Sequence, residues 1–149
     1  IKKNYTIVTV EQTNNSNSLE NIKLPKIPLA LVFVNMVNGG SLRIAVPDGN
    51  NPNSEYRKHC GINGIGADAS DHKQFLTYEL LSKEVERTGF HHNLIEGYLE
   101  NKELVLKKFN NNLGRVIRTR SNKNIRPKDG WDFPDANSSL ILDCIKVLG

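Results

Sequence analysis

Long apolar runs are missing from this 149-residue chain. The longest, Leu29 to Val34, has six residues, far short of the ~20 that span a bilayer. A membrane-spanning helix is therefore not expected. No charged segment precedes a long apolar stretch, so a secretory leader is not expected either. Cysteine is scarce, with only Cys60 and Cys144. Two isolated cysteines make neither a disulfide framework nor a CxxC knuckle, and free thiols in a reducing, cytoplasmic setting are the expectation. His59-Cys60 and His91-His92 lack a zinc spacing. On a strand, adjacent imidazoles point to opposite faces and cannot share an ion, so no metal site is expected. Aromatics amount to 7% of residues, with one tryptophan. Trp131, Phe133 and Tyr98 are read as packing residues rather than a stacking platform. No GxGxG turn occurs anywhere.

What remains is a composition of 38% hydrophobic and 24% charged residues, enough for one domain with its own core. Tyr5 to Val10 is β-branched and reads as a strand. Residues 11–21 read as an Asn/Ser-rich loop or linker, and Pro25 and Pro28 bracket the entry to an apolar stretch, so residues 1–28 stand apart from a domain portion over 29–149. Leu29 to Val37 is too uniformly apolar to be assigned helix or strand by period. Ser41 to Val46 reads as a strand stopped by Pro47-Asp48-Gly49. Residues 50–69, with Pro52, Gly61, Gly64 and Gly66, read as a long ordered loop. The clearest helix runs from Gln74 to Thr88, with leucine and valine at helical spacing, an Asp71/Gln74 capping box and Gly89 past its end. His92 to Leu99, Glu103 to Phe109, Arg115 to Arg120 and Ser139 to Leu148 read as strands. This order predicts an α/β fold with an antiparallel end to its sheet.

Three places carry chemistry-bearing residues. Asp48 follows a strand and a proline, where carboxyl ends of strands meet ligands in open α/β sheets, although Pro-Asp-Gly is also good turn chemistry. Asp71 and His72 open a helix. There an imidazole suits proton transfer at neutral pH, while Asp71 reads mainly as a cap. From Lys107 to Lys128 the chain holds eight basic residues and no acidic one. The total is only +4, so the rest is net negative. Arg118 and Arg120, alternating on a strand, would present two guanidiniums to one anion. A solvated edge strand is the plainer reading.

Read together, the segments GGSLRIAVPDG (39–49), Asn51-Pro52 with Tyr56, GINGIGADASDHK (61–73), Thr88-Gly89-Phe90, GRVIRTR (114–120) and SSLILD (138–143) resemble the C-terminal half of a family of predicted S-adenosylmethionine-dependent methyltransferases of bacteria. Their order and spacing over more than a hundred residues carry the resemblance. It implies part of a Rossmann-like class I methyltransferase sheet, doubly wound, with one antiparallel hairpin among its last strands. Leu42 to Val46 would then be the fifth strand. It implies S-adenosylmethionine as cofactor and a small-molecule or glycan-precursor acceptor. Asp48 or His72 would deprotonate that acceptor, and Tyr56, Arg118 and Arg120 would bind it. The chain departs from the class in lacking the glycine-rich turn and the ribose-binding acid that hold the cofactor. The 28 residues before Leu29 are too few for three βα units of roughly 30 residues each, which points to a fragment or a shortened relative. Two other readings remain open at this stage. One is a non-catalytic module that self-pairs or oligomerises through an open sheet edge. The other is an anion-binding domain, with nucleic acid the weaker ligand.

Overall fold

The computed structural model describes residues 6–7, 26–66, 69, 72, 74–108, 110, 114, 116–121 and 138–147. The order of elements is β1 (Thr6–Ile7), α1 (Lys26–Asn35), β2 (Ser41–Val46), α2 (Ser54–Cys60), α3 (Tyr78–Thr88), β3 (Phe90–Tyr98), β4 (Leu104–Leu106) and β5 (Leu140–Lys146). The strands form one five-stranded sheet in the order β1-β2-β5-β3-β4. β1 runs parallel to β2, and every other pairing is antiparallel. The fold is mixed α/β. β5 lies between β2 and β3, so those two strands point the same way and their carboxyl ends fall at one edge of the sheet.

One face of the sheet is the core. Leu42 and Ile44 of β2, Phe90 and Leu94 of β3, and Leu140, Leu142 and Cys144 of β5 pack with Leu81 and Val85 of α3. Leu29, Val32, Phe33 and Met36 of the α1 segment close it. Phe33 meets Phe90 edge to face at 5.0 Å. Pro28 sits in the first turn of α1, where a helix loses no hydrogen bond to proline. Cys60 and Cys144 are separate buried thiols, and burial pushes the Cys144 thiol up to about 12.

α1 ends against a charge from the core face of β5, where Lys146 pairs with Phe90. The Lys146 ammonium donates to the carbonyls of Phe33 (2.6 Å) and Met36 (2.8 Å) and lies 4.6 Å over the Phe33 ring. Cations at a helix C-terminus answer its unpaired carbonyls. Lys146→Met keeps the aliphatic stem and removes both donors. Its expected cost is about 2 kcal/mol, read as a lower midpoint in urea unfolding.

Three expectations need correction. The Gln74–Thr88 helix starts at Tyr78 and is capped by Thr77, whose hydroxyl accepts from Leu80 N–H at 3.3 Å; it does not begin at an Asp71/Gln74 box. The reason lies in the turn after β2. Gly49 N–H takes the Leu76 carbonyl at 2.7 Å, and a side chain on Gly49 would stand 2.8 Å from that oxygen. Asp71 itself lies outside the described residues. Gly89, at φ +106°, does close the helix. Second, the loop expected over 50–69 contains α2, capped by the Asn53 side chain on the N–H groups of Glu55 and Tyr56. Its buried side chains are only Tyr56 and Cys60, too few to show a period. Third, residues 116–121 form bends and a turn, not the strand expected from Arg115 to Arg120. Their backbone groups are met by side chains instead of a ladder: Ser139 Oγ donates to Arg118 O, and Arg120 N–H donates to Glu96. Trp131, Phe133, Arg115 and the basic residues from Lys123 to Lys128 lie outside the described residues.

Candidate functional site

Beyond the carboxyl ends of β2 and β3 sits a buried polar cluster. Asp48, fully buried, lies in the turn after β2 and is bonded to Tyr98 at the end of β3. Its Oδ1 accepts from Asn50 N–H (3.0 Å) and its Oδ2 from Tyr98 N–H (2.8 Å). Its own N–H donates to the Tyr56 hydroxyl oxygen at 2.8 Å. α2 exists in part to deliver that phenol, which is 1% exposed. The Asn50 amide donates to Glu79 on α3 (2.8 Å) and to Tyr98 O (3.1 Å). Asn51 reaches Ser138 at the entry to β5.

The second carboxylate arrives through a bulge. Leu94 pairs with Leu142, but Glu96, not Ile95, pairs with Ile141. The extra residue turns Glu96 off the core face onto the opposite one. There it is fully buried. It accepts from the Thr119 hydroxyl, Arg120 N–H (3.1 Å), the Arg120 guanidinium (3.1 Å) and Ser139 N–H (3.3 Å). Arg120 also lies 5.1 Å over the Tyr98 ring.

Burial pushes both carboxyls above their usual values. At Asp48 it works against the Tyr98 and Asn50 N–H donors and the Arg120 charge, and the charge of Glu79 adds to the rise. At Glu96 it works against Thr119, Ser139 and Arg120. The Tyr56 phenol is also pushed well up, first by burial. A folded chain that holds protons more tightly than the unfolded one loses stability as pH rises. These two groups therefore make stability fall as pH climbs from the ordinary values of 3.8 and 4.5 toward their raised ones, with no further change above. Urea unfolding at closely spaced pH values reads this. A rise over that window would mean that the donors outweigh burial.

Of the residues expected to form a site, Asp48, Tyr56 and Arg120 are brought into this cluster. Arg118 contributes its carbonyl to Ser139. His72 lies half-buried at the end of α2, with Nδ1 2.6 Å from the carbonyl of Cys60, the last residue of that helix. A carbonyl only accepts, so Nδ1 carries the hydrogen and Nε2 of the neutral ring carries the lone pair. His91 is exposed, while His92 turns to α3, with Nε2 2.8 Å from Glu86. Among the described residues no group of three His, Cys, Asp or Glu side chains is placed to hold a metal ion, and no helix is long and apolar enough to cross a membrane.

The sequence reading missed Glu96, Glu79, Thr119 and the paired asparagines. Asn50 and Asn51 are both buried and bonded. The signal for Glu96 was a lone acid inside the apolar run Leu94-Ile95-Glu96-Gly97. Compared with known proteins, the chain matches no family model and no curated protein.

Proposed function

We propose that this chain is the acceptor-handling part of a methyltransferase-like protein of the S-adenosylmethionine-dependent kind. The observation that carries the reading is the placement of the Asp48 cluster beyond the carboxyl ends of two codirectional strands. Open α/β sheets put ligands at that edge. The antiparallel β5 seated between β2 and β3, with β1 parallel to β2, agrees with the antiparallel end that the resemblance implies.

The described residues do not fit an adenosyl cofactor. The glycines nearest the site each serve the chain's own packing. A side chain on Gly49, Gly61, Gly64 or Gly66 would meet this chain's own atoms at 2.8 Å or less, so none opens a cradle to a ligand. No transfer step is therefore written for the chain. Its own part is to bind an acceptor and take its proton. His72 offers Nε2 to an acceptor hydroxyl or amine. Asp48 and Tyr56, closed off from solvent, hold the turn after β2. Arg120 stands beside them on Glu96 and the Tyr98 ring and is the candidate for an acceptor's polar groups, with Arg118 two residues earlier on the same segment.

Calorimetry of the chain with small hydroxyl and amine compounds tests the acceptor-handling reading. Binding is expected, and His72→Ala is expected to weaken it at least about tenfold. Absence of binding by any such compound, or binding unchanged in His72→Ala, overturns the proposal.

A further inference from the structure

β4 is the last strand on its side of the sheet, and among the described residues no strand pairs with its outer edge. The register shows which groups that edge carries. Glu103 O accepts from Leu99 N–H at 2.9 Å, and Lys107 N–H donates to Ile95 O at 2.8 Å. Between them Val105 pairs with Gly97. The backbone groups of residues 103, 105 and 107 therefore point to β3. Bonding groups alternate sides along a strand, so those of Leu104 and Leu106 point outward. The same two residues carry exposed apolar side chains, at 38% and 50%. They lie opposite Tyr98 and Glu96, on the face away from the core, while Val105 packs against the core. Such an edge is a template for another strand.

The charges at its two ends select the partner. The segment reads Glu103-Leu104-Val105-Leu106-Lys107. Read backwards, it exchanges its two charges and is otherwise the same. We propose that β4 is a self-pairing edge, through which two copies of this chain join their sheets antiparallel about a two-fold axis at Val105. That register sets Leu104 opposite Leu106 of the second copy, each pair exchanging both N–H···O bonds through its outward groups. The leucine side chains then cover one another as cross-strand neighbours. Glu103 falls opposite Lys107 of the second copy at both ends, and opposite charges so placed are favourable. A shift of two residues either way sets Glu103 or Lys107 against Val105 instead, and a parallel alignment in register sets like charges together. Lys102, at φ +67°, belongs to the turn, so the pairing stops before it meets Lys108 of the second copy. Glu103 and Lys107 are both exposed. The Lys107 ammonium holds Asn93 Oδ1 at 2.5 Å and has three donors to share. With strands this short the contact is small, which makes the dimer a weak, concentration-dependent one. The inference does not depend on the proposed reaction.

Sedimentation equilibrium of the 149-residue chain, from about 10 μM to about 1 mM, is expected to show a monomer–dimer equilibrium. In an NMR dilution series over the same range, the largest amide shifts should fall on residues 103–107, with Leu104 and Leu106 leading. Glu103→Lys places lysine opposite Lys107 of the second copy at both ends and should raise the dissociation constant at least about tenfold. Combining it with Lys107→Glu reverses both charges, keeps them complementary, and should bring the constant back to within about threefold of the original. If either variant does not fold, the dilution series of the unaltered chain decides alone. A chain still monomeric at the highest concentration overturns the proposal. So does a dimer whose shifts lie away from β4, or a doubly charge-reversed chain that pairs no more tightly than Glu103→Lys.

Discussion

Glu96→Ala is expected to destabilise the fold by about 3–5 kcal/mol, the range for removing one partner of a buried charged network. Guanidinium unfolding reads it directly, and the melting temperature should drop by roughly 10 °C or more. The size follows from what is left behind. Truncation leaves the Thr119 hydroxyl, the Arg120 and Ser139 amides and one guanidinium facing an empty, buried space. Each orphaned buried donor costs about 1–3 kcal/mol before relaxation. Thr119 is 1% exposed, so water does not reach it easily in the native arrangement. A change below about 1 kcal/mol would place residues 116–121 in solvent rather than on the sheet.

Arg43→Met comes second, at about 3–5 kcal/mol by the same reasoning. Arg43 is 3% exposed in the middle of β2. It sits directly opposite Asp143 on β5 and grips it with two bonds, Nε to Oδ1 at 2.5 Å and Nη2 to Oδ2 at 2.7 Å. Its Nη1 also holds the carbonyls of Asn110 (3.0 Å) and Gly114 (2.5 Å). Removing the cation strands a carboxylate that is 14% exposed. The double variant Arg43→Met with Asp143→Leu is the sharper measurement. An apolar pair of similar volume should recover much of the loss, leaving about 1–2 kcal/mol for the two abandoned carbonyls. If the double variant is no better than the single one, the pair is not what the cost comes from.

Some of this was legible in the residues. α3 was, because Leu81 and Val85 repeat at helical spacing and Gly89 can take the left-handed turn beyond them. β2 and β5 were, because their apolar stretches admit no other element of that length. The start of α3 was not. Thr77 and Asp71 are both good caps, and the choice was made by Gly49 taking the Leu76 carbonyl from a turn 27 residues earlier. Arg118-Thr119-Arg120 copies the alternation of a strand, yet its backbone is satisfied by Ser139 and Glu96, which lie far along the chain. Asp48 could be suspected from its place after a strand and a proline. Glu96 showed as a lone acid in an apolar run, but its face did not show, since strict alternation puts it with Leu94 on the core face. Only the bulge, a property of the pairing with β5, reverses it.

The position of β5 also sets the order in which the protein can assemble. β5 pairs with both β2 and β3, and its pairings with β2 join residues about a hundred positions apart. During synthesis, both strands wait for those pairings until residues 140–146 leave the ribosome. Closing the sheet is then a single late insertion of long loop span, the kind of step that slows folding. A nascent chain halted before Leu140 would carry two open templates for pairing with its neighbours.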